Sequence, residues 1–157
     1  MKATKSLFAA LLCLGPWSQT VAADDFEQKV VYHINYDDRT KQASTLNSIQ
    51  NHMDAVGAGS LDLKVVVHGS GVSLLLNPES LQKLPKFRHA NADQQMAARI
   101  DRLRLQGARF HVCGNTLRSR NVDREKDLYD VDPVDVVPSG IATLADLQGQ
   151  GYVYIKP

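Results

Sequence analysis

Three short apolar runs, each closed by a polar or reactive residue and separated by helix-like stretches, constrain this chain most. Lys29-Val30-Val31-Tyr32-His33-Ile34 is rich in β-branched and aromatic residues and reads as a strand. Leu63-Lys64-Val65-Val66-Val67-His68 is nearly all apolar toward its end, as expected of a strand covered on both faces. Ala108 to Cys113 is the third such run. Between the first two, Leu46, Ile49, Met53 and Val56 recur at three- and four-residue spacing, which predicts a helix over Thr40 to Val56 stopped by Gly57-Ala58-Gly59. Asn91 or Asp93 can cap a second helix running to about Leu105, with Met96, Ala97, Ile100 and Leu103 inward. Gly114 to about Asn121 reads as a short helix, Val134 to Val137 as a fourth strand, Ile141 to Leu147 as another short helix and Tyr152 to Lys156 as a fifth strand. Strict alternation of this kind argues for an α/β domain with a parallel sheet and helices on both faces. Ligands and chemistry then collect beyond the carboxyl ends of the strands.

The first 23 residues read as an export signal. Lys2 and Lys5 give a positive start, Leu7 to Leu14 a short apolar core, and Val21-Ala22-Ala23 a small-residue cleavage site before Asp24. The apolar core falls short of the ~20 residues a membrane span needs. The expected mature chain is therefore a single domain from Asp24 to Pro157, periplasmic or secreted, with no stable membrane insertion. Loss of Lys2 and Lys5 changes the formal charge from +1 to −1. A near-neutral domain lacks the concentrated basic face of nucleic-acid binders.

Cleavage also removes Cys13, so Cys113 is left alone and no intramolecular disulfide can form. An odd cysteine in an exported protein signals intermolecular pairing or a reactive thiol. The bland alternative is a buried cysteine packing as a small hydrophobe. Its setting, Phe110-His111-Val112-Cys113-Gly114-Asn115, ends a strand and starts a helix, where backbone N–H groups favour thiolate and the sulfur is expected to be open to solvent. His68, at the end of the second strand, can tune that thiol or simply hold a loop. Gly69-Ser70-Gly71 can line an anion site, but the third glycine of a dinucleotide fingerprint is missing, since that position is Leu74. Asn115 can bind an anion or cap the next helix, and the cap is the simpler role. His111 and Cys113 share a strand face, with His33 and His68 as further nitrogen donors, yet no ligand pair has zinc-site spacing and no metal or cofactor is expected.

Val67-His68-Gly69-Ser70-Gly71-Val72 with Leu74-Leu75, then Phe110 to Leu117, then Val137-Pro138-Ser139-Gly140-Ile141, resemble the DsrE/DsrF/TusD-type sulfur-relay family in its exported branch. The likeness spans about Lys29 to Pro157. It implies a three-layer α/β/α domain with a five-stranded parallel sheet, and homo-oligomers, often trimers or hexamers. It places the sulfur-accepting cysteine on Cys113, with His68 as helper and Gly114 and Asn115 shaping the anion site. The implied activity is that of a sulfur carrier or sulfurtransferase exchanging sulfane sulfur with donor and acceptor proteins. The competing reading is a non-catalytic oligomeric binding module with a structural cysteine.

Overall fold

The computed structural model describes residues 28–157, so the expected signal segment, residues 1–23, lies outside the described residues. The apolar runs form five strands: β1 (Gln28–Ile34), β2 (Leu61–Val67), β3 (Arg109–Cys113), β4 (Val136–Val137) and β5 (Val153–Ile155). All pair in parallel, in the order β4-β3-β2-β1-β5. Five helices connect them: α1 (Arg39–Val56), α2 (Gln94–Leu105), α3 (Gly114–Arg120), α4 (Arg124–Asp127) and α5 (Gly140–Gly149).

Side-chain alternation along the strands divides the core in two. Val30, Tyr32, Ile34, Leu63, Val65, Val67, Phe110 and Val112 face Leu46, Ile49 and Met53 of α1 and Met96, Ile100 and Leu103 of α2. Val31 and Val66 face the other way, against Leu144 and Leu147 of α5 and Tyr152. The chain steps outward from β1 to β4 and then returns, through α5, to the far side of β1. Crossovers keep one hand, so reversing direction moves the connecting helix to the opposite face. This gives the three expected layers. Among the described residues, no helix is long and apolar enough to cross a membrane.

Helix starts follow local chemistry. Asp38 caps α1 by accepting the Lys41 N–H at 2.6 Å, and Gly57, at φ +92°, ends it. Of the two candidate caps for α2, Asp93 takes the role, accepting the Met96 N–H at 2.9 Å. Asn91 is instead buried, where its amide donates to the Asp37 carbonyl and to Gln42 Oε1. Gln42, wholly buried, donates in turn to the Tyr36 carbonyl at 2.7 Å and to Ser73 Oγ at 2.9 Å. This satisfied polar cluster pins the segment after β2, a 3-10 helix over Gly69–Leu75, to α1.

Candidate functional site at the ends of β2 and β3

The helix after β3 and the helix after β4 leave in different directions. Leu117 of α3 joins the larger core, whereas α5 covers the opposite face. Neighbouring strands whose outgoing connections diverge leave a crevice at their carboxyl ends. Cys113 closes β3 at this point, paired in register with Val137 of β4.

β2 and β3 pair Val67 with Val112, so the next residues, His68 and Cys113, are lateral neighbours about 5 Å apart across the strands. The first residue of α5, Gly140, wedges against both. A β-carbon at Gly140 would lie 3.0 Å from His68 Cβ and 3.3 Å from Cys113 Cβ. This packing, together with α3, leaves Cys113 only 5% exposed. The sequence-based expectation of an open sulfur therefore needs correction. The thiol is at the strand tip as expected, but the start of α5 covers it.

Cys113 is unpaired and occupies the N-cap position of α3. Burial opposes its ionisation, yet oriented donors outweigh that cost and hold the thiol below its ordinary value. The donors are the Gly140 N–H, the Thr116 hydroxyl and N–H, and the Asn115 N–H. They surround the sulfur as nearby dipoles, and Cys113 makes no side-chain capping hydrogen bond. The Asn115 N–H is the smallest of these contributions, and it also donates to the Pro138 carbonyl at 3.2 Å. Thr116 Oγ1 accepts the Gly69 N–H at 2.9 Å, which frees its own hydrogen to point elsewhere.

The other expected site residues divide. Asn115 is not a cap; it lies inside α3, where its side-chain oxygen accepts from Arg118. Gly114 lets Val137 O and Arg118 Nη1 approach to within 3.1 and 3.2 Å of where a β-carbon would sit. Gly69 needs its φ of +56°, and its N–H goes to Thr116. The Gly71 N–H goes to the His68 carbonyl at 3.0 Å. These two amides thus build the turn and have no free hydrogen for an anion. Ser70 lies beside Arg120, whose Nη2 donates to its hydroxyl at 3.3 Å. His111 shares the face of Cys113 as expected, but Nδ1 of this half-buried ring has no partner. Among the described residues, no group of three or more His, Cys, Asp or Glu side chains is placed to hold a metal ion.

Sequence reasoning did not join His68 to its actual partner. Its Nε2 lies 2.6 Å from Nε2 of His33, and His33 Nδ1 lies 2.6 Å from the Tyr154 hydroxyl. The partners come from three strands, so no local spacing announces them. Gly140 and Thr116 were also unassigned, although both fall inside the motifs that carry the family resemblance.

Burial, with repulsion from His68 and Lys156, holds His33 neutral down to about 4. In the unfolded chain histidine titrates near ~6.5. The unfolded state binds more protons between these values, so stability falls as pH drops through that window. His68 and His111, also lowered mainly by burial, act in the same direction. Asp127 differs. Burial pushes its pKa up, but Lys83 at 2.5 Å, the Asp123 N–H and Ser80 pull it below the ordinary carboxylate range. Its contribution is present above that range and is lost as pH falls through its lowered value. Urea midpoints are therefore expected to fall in two stages on acidification. His33→Asn should shrink the upper stage and Asp127→Asn the lower. A midpoint that stays flat from about pH 6.5 to about pH 4 contradicts this account.

Fold and site together define a doubly wound α/β domain carrying a covered, donor-ringed thiol at the carboxyl end of β3. The DsrE/DsrF-like family profile matches residues 28–157, and the chain belongs to that family. Among solved structures, it is similar to the protein of unknown function MTH1491 from Methanobacterium thermoautotrophicum. The two share 29% identity at a TM-score of 0.65, with 83% of this chain and 99% of that chain covered. A comparison with curated proteins found no match.

Proposed function

We propose that the protein is an exported sulfur carrier, periplasmic or secreted, that holds sulfane sulfur as a persulfide on Cys113. One observation carries this reading. Cys113, the one cysteine among the described residues of this DsrE/DsrF-like chain, sits among donors that favour its thiolate. In the step proposed, the Cys113 thiolate attacks the outer sulfur of a donor persulfide, R–S–SH. A new S–S bond forms at Cys113, the donor's S–S bond breaks, and R–S⁻ leaves with the bonding pair. A recipient thiolate reverses the exchange, so neither direction needs an external oxidant or reductant. Donor and acceptor proteins are the expected partners, with a homo-oligomer (a trimer or hexamer) as the working form.

The second reading, an oligomeric binding module with a structural cysteine, draws on the 5% exposure of Cys113. Mass spectrometry after exposure to polysulfide separates the two. The carrier is expected to gain one sulfur atom at Cys113, and Cys113→Ser to gain none. Fast iodoacetamide labelling of folded protein near neutral pH supports the carrier. No sulfur gain, with labelling only after denaturation, sinks it in favour of the module.

A further inference from the structure

We propose that the sulfur donor or acceptor protein docks through an acidic face onto a basic surface formed by Lys86, Arg88, Arg118 and Arg120. The inference rests on the carrier reading only for what the docked protein does, not for the charge that attracts it.

Both halves of this surface are tied to the site. Helix α3 starts at Gly114, directly after Cys113, and carries Arg118 and Arg120. Arg118 folds back along the helix. Its Nη2 donates to Asn115 Oδ1, and its Nη1 lies 3.2 Å from where a Gly114 β-carbon would sit. Arg120 Nη2 donates to Ser70 Oγ at 3.3 Å, just beyond His68 at the end of β2. The other half is the loop Lys86-Phe87-Arg88, whose Phe87 is buried with the Arg120 guanidinium 4.5 Å from its ring centroid. A reciprocal clasp joins the halves. Lys86 Nζ donates to the Ser119 carbonyl, and Arg120 Nη1 donates to the Lys86 carbonyl at 2.9 Å.

Charge here is unbalanced. The neighbouring carboxylates already have cations: Asp127 has Lys83, Asp123 has Lys126, Glu125 has Arg124, and Asp37 lies 3.7 Å from His89. Among the described residues, no carboxylate forms an ion pair with Lys86, Arg88, Arg118 or Arg120. Lys86, Arg88 and Arg118 are exposed and Arg120 is half-buried. Folding explains only part of this cluster. Cations at the end of α3 suit its dipole, but the Arg118 guanidinium lies at the first turn, where positive charge is disfavoured, and Arg88 lies in the loop. A one-signed patch beside a reactive group steers an oppositely charged partner to it.

The borders favour an acidic protein over a nucleic acid. Asp123 follows α3 closely, and Asp127 is held by Lys83 next to the loop. A compact acidic face fits between these carboxylates. A duplex, with a negative charge about every 1.7 Å along its axis, would extend over them.

Fluorescence anisotropy of labelled poly-L-glutamate, titrated with the full chain at low ionic strength, tests the surface without sulfur chemistry. Binding is expected, and it should weaken as salt is raised. Arg88→Gln with Arg118→Gln should weaken it by at least about tenfold. Arg99→Gln with Arg102→Gln removes the same charge from α2 and should leave it nearly unchanged. Both pairs lie outside the clasp, so urea midpoints should not move. Arg88→Glu alone, in an exposed loop where folding is not at stake, should weaken binding more than Arg88→Gln. Cys113→Ser should bind as the unsubstituted chain does. No binding, equal loss in the two double variants, or tighter binding of a DNA duplex overturns the proposal. Binding with the expected pattern but no sulfur gain at Cys113 overturns the carrier reading and leaves the acidic-partner surface standing.

Discussion

Gly71→Ala is expected to destabilise the fold by about 3 kcal/mol or more, beyond the usual range for overpacking. A β-carbon at Gly71 would lie 2.1 Å from the Ile34 carbonyl oxygen, 2.6 Å from its carbon and 2.9 Å from Asn35 Cα. All three are backbone atoms at the end of β1, so no side chain can swing aside. Gly71 also opens the buried run Val72 to Leu76, and its carbonyl lies within reach of the Gln42 amide. Any shift therefore disturbs the polar cluster that ties this segment to α1. Urea denaturation measures the loss. Gly149→Ala in α5 is the matched control, because nothing lies within 4 Å of its would-be β-carbon, and it should be neutral or mildly stabilising. Equal midpoints for Gly71→Ala and the unsubstituted chain would contradict the close approach.

Gly140→Ala should act on chemistry as well as stability. Its new methyl meets the β-carbons of His68 and Cys113, both fixed to sheet backbone. Relief requires α5 to lift, at a cost of about 1–2 kcal/mol. Lifting α5 also withdraws the Gly140 N–H from the sulfur, the largest of the contributions that favour the thiolate. The thiol pKa should rise, and one unit of rise means about tenfold less thiolate near neutral pH. The pH profile of iodoacetamide labelling reads this directly. Lost stability with an unmoved labelling profile would show that Gly140 only packs.

Much of this architecture was visible in the sequence because the signals were local. The apolar runs ending at Ile34, His68 and Cys113 marked the strands, and the stripe Leu46, Ile49, Met53 marked α1. Alternation then led to a parallel sheet. β4 was expected over Val134 to Val137, but only Val136–Val137 pairs, since Pro133 opens a 3-10 turn through Asp135. The position of Cys113 at a strand end was readable; its burial was not. Cover comes from Gly140, far along the chain, and depends on which face α5 takes after the sheet reverses direction. The link from His68 to His33 and Tyr154 was hidden for the same reason. It requires β1, β2 and β5 to lie adjacent, a fact of strand order and not of spacing. Asn115 illustrates the reverse case. Its residue type suits a cap, but Cys113 already holds the N-cap position and α3 begins one residue earlier than Asn115.

The apparent pKa of Cys113 in folded protein tests the central claim most directly, since it registers the balance between burial and the donors around the sulfur. Thiolate absorbance titrated in the folded chain, and again in urea, gives both values. The account predicts a folded midpoint below the unfolded one, which should lie near the ordinary ~8.5 of a free thiol. A folded midpoint at or above the unfolded value would mean that burial wins, and that Cys113 is a packing residue.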